Sequence, residues 1–140
     1  MKSQFIRVVL TAGLTLLGSL TLGAQDKQEI AKIPFAFHAN HNSFAAGDYR
    51  VAQVNNYGLF QLRKEADGHS IFINTLPAVE AKSNSQGHLT FACYHGDCVL
   101  SQIWLPGSKT GFARSAGSVD RDLQRKLGVA SMVSVRLTAH

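Results

Sequence analysis

From Ile33 onward, apolar residues recur at every second position, and Gly, Asn and Asp interrupt the pattern at short intervals. Period two puts alternate side chains on one face of an extended strand, and the interruptions supply turns. The expected fold is therefore an antiparallel sheet with one buried face. Ile33, Phe35 and Phe37 share a face of the first segment, with Pro34 tolerated at a strand start or edge. Ala46-Gly47-Asp48 makes a turn for which Gly47 supplies a positive φ. Tyr49–Val54 and Leu59–Lys64 flank the turn residues Asn55-Asn56-Tyr57-Gly58. Asp67-Gly68 is a hairpin signal ahead of Ser70–Leu76. After a polar loop, Ser83–Gly87, His88–Tyr94 and Cys98–Leu105 form a second tight pair around His95-Gly96. Phe35, Phe37, Tyr49 and Val51 are expected to cluster across strands, each aromatic pair adding about 0.5–1.5 kcal/mol beyond area burial.

Pro106–Gly117 reads as a long loop with Gly107, Gly111 and Gly117 spaced along it. Ser118 then caps a short helix with Asp120 near its positive end. Val119, Leu123 and Leu127 lie on one stripe, Arg125 and Lys126 occupy the last turn, and Gly128 stops it. Val129–Leu137 returns to alternation through Val133, Val135 and Leu137. The whole is mainly β: a single-domain antiparallel sandwich or small barrel of about seven strands, with one short helix in the C-terminal half.

The first residues address compartment. Lys2 and Arg7 precede an apolar-and-small run, Val8–Leu22, closed by Gly23-Ala24. That is the order of a secretory signal. Residues 1–24 read as the signal peptide, 25–32 as a polar leader and 33–140 as one β-rich domain. A spanning helix needs about 20 predominantly apolar residues, and Gly13 and Gly18 interrupt this shorter run. The expectation is an exported protein, periplasmic or extracellular, with no stable membrane span after cleavage.

The formal charge of the full chain is +5, and loss of Lys2 and Arg7 lowers it by two. Lys109, Arg114, Arg121, Arg125, Lys126 and Arg136 concentrate the remaining basicity in the last third. This favours either an anionic envelope component as partner or, more plainly, a solvated helix face. Nucleic acid is not an expected partner, because export separates the chain from it and no dense basic-aromatic stripe is present.

Cys93 and Cys98 flank His95-Gly96. If those two are the centre of a two-residue hairpin, the cysteines form its second, non-hydrogen-bonded pair, with Cα atoms about 4.5 Å apart. An oxidising compartment then makes a disulfide the default, over free thiols, a redox pair or zinc. Closing so short a loop contributes about 2 kcal/mol.

His38-Ala39-Asn40-His41 are metal candidates on paper, with Asp48 as a third donor, but three-residue spacing is not strand-face spacing. No cofactor is expected. There is no Gly-x-Ser-x-Gly elbow and no phosphate-cradling loop. The carboxylates Glu65, Asp67 and Glu80 make no facing pair, and His88, Asp97 and Ser101 assemble into a triad only nominally. Trp104 either closes the end of the core or, with Tyr94, lines a pocket for a small apolar ligand.

Two stretches carry a resemblance. Ile33-Pro34-Phe35-Ala36-Phe37 followed by Ala46-Gly47-Asp48-Tyr49-Arg50-Val51 is similar to a pattern in small secreted bacterial proteins, best represented among acidobacteria. Leu89-Thr90-Phe91, Tyr94-His95-Gly96-Asp97 and Leu100 through Trp104 resemble the same group, with His95 inserted before the Gly. The resemblance implies a strand-and-turn fold and assigns no chemistry. The expected function is a secreted, non-enzymatic binding or structural domain acting on a protein or envelope component. The alternatives are a small-ligand carrier with an apolar pocket near Trp104, or a hydrolase.

Overall fold

The computed structural model describes residues 28–80, 86–115 and 117–140. The expected signal peptide, leader residues 25–27 and residues 83–85 of the polar loop lie outside the described residues. The described chain runs β1 (Glu29–Ile33), β2 (Phe37–Ala39), β3 (Asn42–Phe44), β4 (Gly47–Gln53), β5 (Leu59–Lys64) and β6 (Ser70–Asn74). It continues with β7 (Leu76–Glu80), β8 (His88–Tyr94), β9 (Asp97–Trp104), β10 (Thr110–Ala113), α1 (Ser118–Leu127) and β11 (Ser131–Ala139).

Mainly β with one short helix, the fold is a curled mixed sheet, a half-barrel of strand order β3-β2-β9-β8-β11-β1-β4-β5-β6. Among the described residues every pairing is antiparallel except β2 beside β9. Two devices bend it. β11 pairs with β8 through Ser131–Arg136 and with β1 through its last three residues, so one strand belongs to both halves. Thr75 hands the chain from β6, beside β5, to β7, beside β10.

The concave face is filled. Ile33, Phe37, Phe60, Leu62, Phe91 and Leu100 are each at most 2 % exposed. At roughly 1.5–3 kcal/mol per buried side chain of this size, such residues supply the main drive to fold. Phe37 meets Tyr49 and Phe91 edge-on, both at 5.3 Å. Phe60 meets Phe112 at 5.1 Å and ties β5 to β10. β8 and β9 are buried on their other side too, where Ala92, Tyr94, Val99 and Trp104 pack outside this cluster.

Local chemistry explains where the structure departs from the sequence reading. Ile33–Phe37 is two strands, because Pro34 has no N–H to give the ladder and β1 ends before it. Phe35, left between the strands, turns its ring edge-on to Phe91 at 5.1 Å. Residues 29–32, expected in a polar leader, form most of β1, a central strand in which Ala31 is fully buried. Asn40 and His41 take φ of 47° and 64°, which a type I′ turn demands, and fold Phe37–Phe44 into a hairpin. Thr75 splits Ser70–Leu76 between the two halves, and the expected long loop contains β10. Where about seven strands were expected, the described residues form eleven. The helix spans Ser118–Leu127, but Gly117 and not Ser118 is its N-cap, and the Asp120 carboxylate closes its start by accepting the Gly117 N–H at 3.2 Å. Gly128 ends it at φ 86°.

Candidate functional site

The cysteines meet as their spacing requires. Tyr94 pairs with Asp97 and Cys93 with Cys98 at the mouth of the His95-Gly96 turn. The disulfide joins them at a Cα separation of 4.0 Å. Cys98 is 5 % exposed, so the bond pins the hairpin from inside.

His38 and His41 line a hollow of about 10 Å³ together with Arg114 and Gly117. The remaining ionisable side chain there is the Arg114 guanidinium, which repels a cation. His38 Nδ1 lies 3.0 Å from the Ser43 hydroxyl. Asp48, the suggested third ligand, stands opposite Lys32 in the β1–β4 ladder. Among the described residues no three His, Cys, Asp or Glu side chains converge. The nominal triad is dispersed as well: His88 and Asp97 sit at opposite ends of the β8–β9 ladder. Glu65 is held by Arg50 at 2.8 Å.

Trp104 closes the fold. It is 6 % exposed, stacks on His88 at 5.7 Å and donates its indole N–H to Gln102 Oε1 at 3.0 Å. Gly111 lies so close that a Cβ there would stand 2.4 Å from the ring. The two expected pocket residues are therefore separated. Tyr94 lines a cleft of about 140 Å³ under α1; Trp104 does not. The cleft is walled by Ala92 and Tyr94 from β8, Leu100 and Ser101 from β9, Arg114, and Asp120 and Gln124 from α1. Its polar lining differs from the apolar pocket expected.

Arg114 organises that cleft. Its N–H bonds the Ser101 carbonyl at 2.9 Å, extending the β9–β10 pairing by one residue. Its Nη1 donates to the Leu100 carbonyl at 2.9 Å, and its Nη2 faces Asp120 Oδ2 at 3.7 Å. The pair is 9 % and 17 % exposed and fastens α1 to the sheet. Half-buried Leu123 and Leu127 lie on the same helix.

The second candidate surface was visible in the sequence as an absence of charge. Residues 51–62 and 70–79 contain no Asp, Glu, Lys or Arg. The fold brings these stretches together: the β4–β5 turn abuts the β6–β7 corner, where Gly58 O accepts both the Thr75 N–H at 2.9 Å and the Thr75 hydroxyl at 2.6 Å. Gly58 has φ 99°, and a Cβ there would meet Thr75 O at 2.5 Å, so the turn needs glycine. Asn55 Oδ1 accepts the N–H groups of Tyr57 and Leu59 at 3.0 and 3.1 Å. This doubly fastened turn presents Tyr57 at 85 % exposure, with Val54, Phe72 and Leu76 all at least half exposed on the neighbouring segments. Phe72 stands between Ile71 and Ile73, so apolarity alone does not tell which of the three faces outward, and Leu76 stands in an apolar stretch with Pro77, Ala78 and Val79.

No protein family, curated protein or solved structure matches this chain.

Proposed function

We propose that this chain is an exported, non-enzymatic binding domain that docks on the apolar surface of a partner protein through the tip formed by Val54, Tyr57, Phe72 and Leu76. The observation that carries the reading is the pairing of exposed apolar side chains with a charge-free, hydrogen-bonded turn. A turn whose backbone is fixed before contact loses little entropy on binding, and Tyr is enriched among residues that dominate interface energy. Large apolar side chains exposed on neighbouring segments are a mark of an interaction site. The filled concave face supports a role played on the surface instead of in an internal cavity. Export is supported by the basic-then-apolar order of residues 2–22, and the Cys93–Cys98 disulfide is compatible with it. Among the described residues no helix is long and apolar enough to cross a membrane.

The test is native mass spectrometry of the processed chain recovered from its exporting host, alongside Tyr57→Ser and Leu76→Asp variants. A bound protein that both variants release supports the reading. A bare chain in all three samples, or a bound protein that both variants retain, contradicts it. Retention on neutral lipid vesicles in place of protein binding would also overturn it, in favour of a membrane-surface role.

A further inference from the structure

The cleft under α1 is unused by the tip and has its own chemistry. Its wall carries one cation and one anion, Arg114 and Asp120, so it offers no net charge to a ligand. Among the described residues, no hydrogen bond occupies the side chains of Tyr94, Ser101 or Gln124, which supply hydroxyl and amide groups able both to donate and to accept. Arg114 spends one nitrogen on Leu100 O and stands too far from Asp120 for a direct hydrogen bond, which leaves guanidinium donors and a carboxylate oxygen along the same wall. Ala92 and the ring of Tyr94 add apolar surface between these groups, and Leu100 contributes its backbone. A volume of about 140 Å³ corresponds to roughly four or five waters at about 30 Å³ each.

We infer that this cleft is a binding site for one neutral sugar ring, either free or as the terminal unit of a glycan. A sugar ring is uncharged, of similar volume, and alternates hydroxyls that donate and accept with C–H faces that need apolar contact. A free carboxylate or ammonium ligand matches one partner of the Arg114–Asp120 pair and is repelled by the other. Three chain segments converge here: the β8–β9 ladder, the residue that follows β10, and the helix. Each supplies at least one polar group. The site is thus formed only in the folded chain and is held by the Arg114 hydrogen bonds to β9 and its ion pair with Asp120 of α1.

The experiment is an NMR titration of the processed, disulfide-bonded chain. The probes are neutral monosaccharides, a neutral oligosaccharide, and two charged analogues, a uronic acid and an amino sugar. Expected are saturable amide shifts at Tyr94, Ser101 and Gln124 with a neutral sugar, and weaker binding of both charged analogues. Tighter binding of the oligosaccharide identifies a glycan as the source; equal binding identifies the free sugar. Gln124→Ala, at an exposed helix position, should weaken binding about three- to tenfold, the loss of one hydrogen-bonding side chain, with the thermal midpoint unchanged. Tyr57→Ser should leave sugar binding unaltered. No saturable shift with any neutral sugar, stronger binding of a charged analogue, or undiminished binding by Gln124→Ala would overturn the assignment.

Discussion

The side-chain amide of Asn40 donates a 2.6 Å hydrogen bond to the main-chain carbonyl of Phe72. Asn40 sits at the tip of the β2–β3 hairpin and Phe72 in β6, so the bond spans the two ends of the nine-strand path. Phe44 and His69 approach across the same seam at 6.3 Å. An edge strand with open N–H and C=O groups recruits other chains, and a covering loop is one natural protection. In β6, where residues 70–74 carry neither charge nor proline, the hairpin tip provides that cover.

Asn40→Gly tests the seam while sparing the left-handed backbone that the turn requires. It should cost about 1 kcal/mol of stability, the value of one hydrogen bond, and should raise concentration-dependent association. Urea unfolding and analytical ultracentrifugation read the two effects. An unchanged midpoint together with an unchanged sedimentation profile would show that the seam needs no clasp.

Gly111→Ala places a methyl group 2.4 Å from the Trp104 ring atoms Cε2 and Cζ2. The ring is fixed by His88 stacking and by its bond to Gln102, so it has nowhere to retreat. Overpacking of this kind costs typically about 1–3 kcal/mol. Trp104 is the only tryptophan in the sequence, so its fluorescence reports the displacement without ambiguity. A red shift and an earlier thermal midpoint are expected.

Several of these features were legible in the sequence and others were not, for physical reasons. Gly-containing hairpins announce themselves: Asp67-Gly68 and His95-Gly96 are both turns, and the disulfide register followed from the second. The helix was legible from its stripe and its stop at Gly128. Asn40-His41 hid a turn, because a histidine at φ 64° has no sequence mark and resembles a metal ligand instead. β1 hid because Glu29 and Lys32 make its sequence look like a leader, whereas pairing with β4 and β11 on both sides buries Ala31. The cleft escaped because it joins residues from three distant segments. The charge-free tip was present in the composition of residues 51–62 and 70–79, but only the Gly58–Thr75 bonds bring the two stretches together.

Replacing both cysteines, Cys93→Ser with Cys98→Ser, should lower stability by about 2 kcal/mol and preserve the fold. The hairpin keeps its turn, with His95 and Gly96 at φ 48° and 94°, and its register against β11. Circular dichroism and chemical denaturation distinguish this from collapse. Unfolding of the double variant at ambient temperature would mean that the disulfide holds the domain as a whole.

Tyr49 gives the chain an alkaline limit. Its hydroxyl donates to the Ala45 carbonyl at 2.6 Å, and its pKa is raised above the ordinary 10.0, first by burial and then by the negative charge of Asp67. A raised pKa means that the folded state holds the proton more tightly than the unfolded state. The stabilisation is complete below pH 10 and is lost as pH rises from there through the folded-state pKa. Tyr49→Phe should therefore be less stable at neutral pH by about 1 kcal/mol, the bond to Ala45, yet show a shallower decline above pH 10. Equal alkaline slopes for the two proteins would contradict this assignment.

Docking of a partner protein on the charge-free tip can be read by site-specific photocrosslinking in the exporting host. A crosslinking residue replaces Tyr57 in one sample and Lys126, on the exposed side of α1, in another. The account predicts a discrete protein adduct from position 57, abolished by Leu76→Asp, and none of that mass from position 126. An identical adduct pattern from both positions, or none from position 57, would contradict it.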